Sequence, residues 1–153
     1  MKGKDSKIKK PHASHMVRGI SFSPTNPDQF YSFGDDCSIK IWSFKDKTEL
    51  HQLSDPTYSA PITSFSFSYA ETPYLLSIHG DSMTVWKDSA TGWHQPHSRS
   101  STGKQIEKVG FCDGDKITTL FNDGTINIFK RSDEVDSTGE SSDHSKNIRN
   151  SQR

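Results

Sequence analysis

An all-β chain of repeated antiparallel sheets is predicted, and three observations predict it. First, one turn-and-strand pattern occurs three times, as Gly34-Asp35-Asp36-Cys37-Ser38-Ile39-Lys40-Ile41-Trp42, Gly80-Asp81-Ser82-Met83-Thr84-Val85-Trp86 and Asn122-Asp123-Gly124-Thr125-Ile126-Asn127-Ile128-Phe129. The aromatic ends Trp42, Trp86 and Phe129 lie 44 and 43 residues apart. Second, an apolar pattern precedes each copy: Val17-x-x-Ile20-x-Phe22, Ile62-x-x-Phe65-x-Phe67 and Ile106-x-x-Val109-x-Phe111, starting 45 and 44 residues apart. Third, apolar and polar residues alternate inside the copies, as in a strand with one buried face. Repeats of this length are those of β-propeller blades.

In chain order, the first repeat opens with a strand from Val17 to Phe22 and turns at Ser23-Pro24-Thr25-Asn26-Pro27-Asp28. Proline presets φ there, and the short polar side chains bond nearby backbone. Strands at Gln29 to Phe33, Ser38 to Trp42 and Glu49 to Leu53 complete the unit. The second repeat follows the Asp55-Pro56 break, with strands at Ile62 to Ser68, Tyr74 to Ile78 and Met83 to Trp86. Its turn is one residue shorter than its siblings, so Asp81 is not expected to act as Asp36 and Asp123 do. Its outer strand is placed at Trp93 to His97, where proline restricts it to an edge. The third repeat offers Ile106 to Cys112, Lys116 to Phe121 and Thr125 to Phe129, and no strand-like run follows.

With these motifs the sequence resembles the WD40 repeat family over residues 17–130. That resemblance implies a partial propeller of three four-stranded blades at about 17–54, 62–98 and 106–130, between a basic flexible arm at 1–16 and a disordered polar tail at 131–153. It also implies a structural network joining turn Asp, strand Ser or Thr, the strand-ending Trp and a loop His. The matching positions are Asp36, Ser38 and Trp42, with His12 or His15 as fourth member; Asp123 and Thr125; and Trp86. The sequence departs from the family where Ser43, Lys87 and Lys130 follow the aromatic, where Phe129 replaces Trp, and where no Gly-His pair precedes an inner strand.

Composition bounds the function classes. Formal net charge is +0 and the hydrophobic fraction is 29%. The first value offers no overall surface for nucleic acid or membrane. Membrane attachment is not expected, since no run approaches the roughly 20 apolar residues of a spanning helix. Cys37 and Cys112 fall in different repeats and are too few for a disulfide framework, which fits an intracellular chain, cytoplasmic or nuclear. The arm carries Lys2, Lys4, Lys7, Lys9 and Lys10 against Asp5. Such an arm can lie on phosphates, but no aromatic is interleaved to stack on bases.

Candidates for chemistry are sparse. The pairs His12-x-x-His15 and His94-x-x-His97 have a helical metal-site spacing but lie in no helical pattern, and no third ligand stands near. They read as solvated loop histidines, and no metal or cofactor is expected. No Gly-x-Ser-x-Gly elbow or phosphate loop occurs.

The expected function is a non-catalytic scaffold or adaptor binding other proteins. The face carrying the Asp turns and the connectors between blades is its candidate surface, with Met16, Arg18, Asp35, Tyr58, His79 and Asp81. The alternatives are an RNA- or DNA-associated module using the Lys-rich arm and, behind it, an enzyme with a site in the His-rich loops. The resemblance leaves cytoskeletal or ciliary association open. Three blades fall short of the usual 4 to 8. The missing blades are therefore expected from a longer chain or a partner, in preference to self-association, for which the ends offer no matching apolar strand.

Overall fold

The computed structural model describes residues 7–8, 11–68, 73–87, 96–112 and 116–130. The tail at 131–153 and half of the arm at 1–16 lie outside these residues, as does His94 of the second histidine pair.

Eleven strands form three antiparallel sheets among the described residues. Blade one is β1 (Val17–Phe22), β2 (Gln29–Gly34), β3 (Ser38–Ser43) and β4 (Glu49–Ser54). Blade two is β5 (Ile62–Phe67), β6 (Tyr74–His79), β7 (Ser82–Lys87) and β8 (Pro96–Ser101). Blade three is β9 (Ile106–Cys112), β10 (Lys116–Phe121) and β11 (Ile126–Lys130). Strands pair in chain order within each sheet. The four-stranded expectation is thus met by two blades, and the third shows three strands among the described residues. The outer strand of blade two begins at Pro96, three residues beyond the expected Trp93. Proline supplies no ladder N–H, so it sits at the strand's first position, where it costs least.

The core lies between blades. Tyr31, Phe33, Ile39 and Ile41 of blade one pack on Ile62, Phe65, Phe67, Leu75 and Trp86 of blade two. Phe65 meets Phe33 edge-on, with ring centroids 4.6 Å apart, and Phe67 meets Tyr31 likewise at 4.7 Å. On its other side, blade two sets Leu76, Ile78, Met83 and Val85 against Ile106, Val109, Ile117 and Phe129 of blade three. The central sheet is therefore apolar on both faces, and all six residues of β6 are buried. Alternation fails there for a physical reason: a strand covered on both sides has no wet face.

The turns follow from local chemistry. Ser23 Oγ accepts the Asn26 N–H at 3.1 Å, and Asn26 Oδ1 accepts that of Asp28 at 3.0 Å. Asp28 in turn accepts Ser43 Oγ–H at 2.9 Å and the Lys45 N–H at 2.7 Å, tying the β1–β2 turn to the β3–β4 turn. At the opposite end, the β2–β3 and β10–β11 turns close with Cys37 N to Gly34 O (3.3 Å) and Gly124 N to Phe121 O (3.0 Å). Each places its last residue at positive φ, 60° for Cys37 and 80° for Gly124. The shorter β6–β7 turn is only Gly80-Asp81, because His79 pairs with Ser82. Gly80 takes φ 66°, as a two-residue hairpin with glycine first requires.

Candidate functional site

The connectors before each inner strand and the turns between second and third strands come together at one end of the blades. Asp35 N–H bonds the Met16 carbonyl at 3.0 Å, Ile106 N–H bonds that of Gly80 at 2.9 Å, and Asn122 N–H bonds that of Gln105 at 3.1 Å. Beneath this face each blade carries one hydroxyl at the same place on its second strand: Ser32, Ser77 and Thr119, all buried. The three blades satisfy that hydroxyl in three different ways.

In blade one the indole of Trp42 donates to Ser32 Oγ at 2.9 Å, and His12 Nε2 lies 2.8 Å from the same oxygen. His12 Nδ1 lies 2.7 Å from Asp36 Oδ1. Indole can only donate, so a neutral imidazole gives one consistent direction: Trp42 N–H to Ser32, Ser32 O–H to Nε2, and Nδ1–H to the carboxylate. Asp36 also accepts the Ser38 N–H at 3.2 Å, and Ser38 Oγ lies 3.4 Å from His12 Nδ1. Burial works to raise the Asp36 pKa, but hydrogen bonds from His12 and Ser38 outweigh it and hold the carboxyl below its usual value.

The histidine expectation is corrected here. His12 is not a solvated loop residue: its exposure is 0%, because Pro11 to Ser14 turn and drive the ring under the face. His15 stays exposed. Ser38 joins the set through Asp36 and His12, and the hydroxyl between His12 and Trp42 is Ser32, which the sequence reading did not name. A comparison of the second strands would have found it, since Ser32, Ser77 and Thr119 recur 45 and 42 residues apart.

Ser32, His12 and Asp36 have the distances of a catalytic triad, but the arrangement lacks the rest of one. Ser32 is 2% exposed, and its oxygen already accepts an indole N–H, so no substrate carbonyl can approach it. What the set does is fasten the connector before β1 to β2 and to the β2–β3 turn.

Blade two inverts the parts. Trp86 N–H donates to Ser77 Oγ at 3.0 Å, and Ser77 Oγ lies 3.2 Å from His79 Nε2. The histidine now comes from the strand, and its Nδ1 meets the Ala60 carbonyl at 3.2 Å. The carboxylate comes from the connector: buried Asp55 accepts Thr84 O–H at 3.3 Å and the Thr57 N–H at 3.0 Å. Burial pushes the His79 pKa down, against the opposing effects of the Ala60 carbonyl and the Asp55 charge. Asp81 stays outside this set, bonding Ser82 Oγ at 2.7 Å and Ser101 Oγ at 3.2 Å.

In blade three Asp123 accepts the Thr125 N–H at 2.9 Å, Thr125 O–H at 2.6 Å and Lys104 Nζ at 2.8 Å, and these bonds, that from Lys104 foremost, hold it well below the usual carboxylate range. Neither residue reaches the buried hydroxyl. Among the described residues Thr119 Oγ1 has no hydrogen-bond partner, because Phe129 stands where the indole would be.

On the surface above, Arg18 grips Asp35 with two bonds, Nε to Oδ1 at 2.6 Å and Nη2 to Oδ2 at 3.1 Å. Met16 and Asp81 are exposed, and Tyr58 is half-buried. His79, expected on this face, is 2% exposed and turned inward; Tyr58 stacks over it with ring centroids 5.0 Å apart. Among the described residues no group of three or more His, Cys, Asp or Glu is placed to hold a metal ion. No helix among them is long and apolar enough to cross a membrane.

Paired inter-blade cores and inner strands at a fixed period define the class: the described residues form three consecutive blades of a β-propeller fold, and the His-Ser-Trp-Asp set resembles that of WD40 repeats. No family model matches the sequence. Over 124 residues it is 25% identical to Protein SUPPRESSOR OF PHYA-105 1 of Arabidopsis thaliana, covering 77% of this chain and 11% of that protein. The fold is similar to the β-propeller domain of Myceliophteria thermophila Cps50 (Swd1), with TM-score 0.64, 17% identity, and 78% of this chain and 37% of that one covered. It is similar too to a chain of the Chaetomium thermophilum Polycomb Repressive Complex 2 bound to GSK126, with TM-score 0.61, 24% identity, and 73% and 28% covered. The chain thus spans well under half the length of each.

Proposed function

We propose that the chain is a non-catalytic adaptor that presents the connector-and-turn face to other proteins. One observation carries this reading: the Ser32-His12-Asp36 constellation lies beneath that face with Ser32 and His12 buried, while Arg18, Tyr58 and Asp81 stand on it. Tyr58 is fixed by stacking on buried His79, and a pre-positioned aromatic loses little freedom on contact, which suits an interface anchor. Asp81 and the Arg18–Asp35 pair supply charges of both signs around it. That one of the similar folds belongs to a chain of a Polycomb Repressive Complex 2 supports a role within an assembly. The nucleic-acid alternative rests on the arm, of which only Lys7 and Ile8 are described before Pro11.

The test is affinity capture from cell extract with wild type, Tyr58→Ala and Arg18→Glu in parallel, read by quantitative mass spectrometry. A common set of proteins lost from both variants, with unchanged urea midpoints, is expected. Identical capture by all three proteins would reject this face.

A further inference from the structure

Among the described residues Asp123 is the one aspartate followed by glycine; Asp36 precedes Cys37, Asp55 precedes Pro56 and Asp81 precedes Ser82. The pairing matters chemically. A backbone nitrogen can attack the side-chain carbonyl carbon of the aspartate before it, and a Cβ on the attacking residue obstructs the approach. Glycine has no Cβ. Gly124 takes φ 80°, and a Cβ built on it would meet nothing within 4 Å, so the space beside this peptide is open. The Asp123 side chain is 41% exposed, in the β10–β11 turn of the connector-and-turn face.

Hydrogen bonds keep the two reacting atoms from meeting. Gly124 N–H donates to the Phe121 carbonyl at 3.0 Å. Asp123 Oδ1 accepts the Thr125 N–H at 2.9 Å and the Thr125 O–H at 2.6 Å, and Oδ2 accepts Lys104 Nζ at 2.8 Å. To reach the Gly124 nitrogen, the carboxyl group must rotate out of the bonds on both of its oxygens. Those bonds, that from Lys104 foremost, also keep it ionised. A carboxylate resists the attack, because it would have to expel oxide in place of water. The Phe121 and Thr125 bonds lie within the turn. Lys104 comes from the connector before β9, and its side chain is 57% exposed, so it can be drawn away or neutralised without unfolding the turn.

We infer that Asp123-Gly124 is a site of aspartate isomerisation, closed by the fold and opened when Lys104 leaves it. The Gly124 nitrogen, losing its proton, bonds to Asp123 Cγ, and the carboxyl hydroxyl departs as water to leave a succinimide ring. Water then adds to the ring carbonyl that came from the main chain. The bond from that carbon to the Gly124 nitrogen breaks and the nitrogen regains a proton, so the product is an isomer and water is the only co-reactant. The main chain now runs through Cγ and is longer by one methylene. The turn, which closes with Phe121 N–H on the Thr125 carbonyl at 2.9 Å, loses that register, and the carboxylate moves away from Lys104. The inference concerns the chemistry of this turn and is independent of the adaptor reading.

The test incubates the chain at about pH 5, where a free carboxyl is partly neutral, and counts isoaspartate by electron-transfer mass spectrometry of its peptides. In urea, Asp123 and Asp113, which is also followed by glycine, are expected to convert at similar rates. In the folded chain, conversion at Asp123 is expected to be slower than in urea by about tenfold or more, because several bonds must open first. Lys104→Gln is expected to speed it about two- to fivefold, the range that an exposed ion pair carries, with unchanged near-UV circular dichroism. Lys104→Arg should keep the wild-type rate, since it restores the charge. Thr125→Val, which removes the O–H donor, is expected to act in the same direction as Lys104→Gln. Conversion in the folded wild type as fast as in urea would overturn the closure, and equal rates in wild type and Lys104→Gln would overturn the role of Lys104. No isoaspartate at Asp123 even in urea would overturn the site itself.

Discussion

Replacing Asp36 with Ala probes the set that fastens blade one. The carboxylate accepts the His12 Nδ1–H at 2.7 Å and the Ser38 N–H at 3.2 Å. Without it an imidazole N–H at 0% exposure loses its acceptor, a desolvation cost of roughly 1–3 kcal/mol. The Asp36 side chain is itself 17% exposed, so water can reach part of the space, and about 2 kcal/mol is expected. Asp81→Ala removes only bonds to Ser82 and Ser101 at the surface and should cost within about 0.5 kcal/mol. Urea melts followed by tryptophan fluorescence at pH 7 give both values. Because hydrogen bonding holds the Asp36 pKa below its unfolded value, its contribution is complete above about pH 4 and is lost as pH falls through the folded pKa. The variant should therefore converge on wild type in acid. Equal losses at Asp36 and Asp81, or a constant gap down to pH 2, would refute the reasoning.

Three further outcomes are expected. Cys37→Gly should raise stability by about 1 kcal/mol, read as an increase in Tm, because Cys37 sits at φ 60° where Gly124 stands in blade three, and left-handed geometry costs a residue with a Cβ about 1–2 kcal/mol. Stability should fall between pH 7.5 and 5.5, since burial lowers the folded pKa of His79 below the unfolded value of about 6.5, and the unfolded chain then binds more protons. His79→Gln should abolish that part of the drop in urea midpoint, and an unchanged pH profile in the variant would contradict it. Phe129→Trp should add about 1 kcal/mol by giving buried Thr119 Oγ1 the indole donor that Ser32 and Ser77 have, measured as the urea midpoint against a Phe129→Leu control.

Much of the fold was legible because the repeat writes each strand three times. Period, turn residues and alternating apolar positions place the inner strands at Val17, Ile62 and Ile106, where the structure has them. What was not legible depends on contacts far apart in sequence. The shift of β8 to Pro96 is decided by pairing with β7 and not by local pattern. His12 reads as one more polar residue of a basic arm until the β2–β3 turn, 24 residues on, brings Asp36 to its ring. Asp55 reads as part of an Asp-Pro break, and its burial against Thr84 needs the two blades assembled. Ser77 and His79 are visible together on one strand, but only the strand's burial on both faces turns a surface histidine into a structural one.

The buried hydroxyl column shows why the anchoring motif tolerates so much change in sequence. Its physical requirement is a closed account of donors and acceptors around one oxygen, and more than one residue pattern meets it. Blade one takes histidine from the connector and carboxylate from the turn; blade two takes carboxylate from the connector and histidine from the strand. In both, the indole end of the third strand is common, which ties second strand to third whatever the polar partners are. Blade three keeps the turn carboxylate but loses indole and histidine, so Asp123 serves only its own turn and Lys104. Its hydroxyl is left to bear a desolvation cost, which makes the third blade the one most dependent on neighbours for its stability. The same blade exposes Ile126 and Ile128, so covering that face would stabilise the unit with the weakest internal anchor.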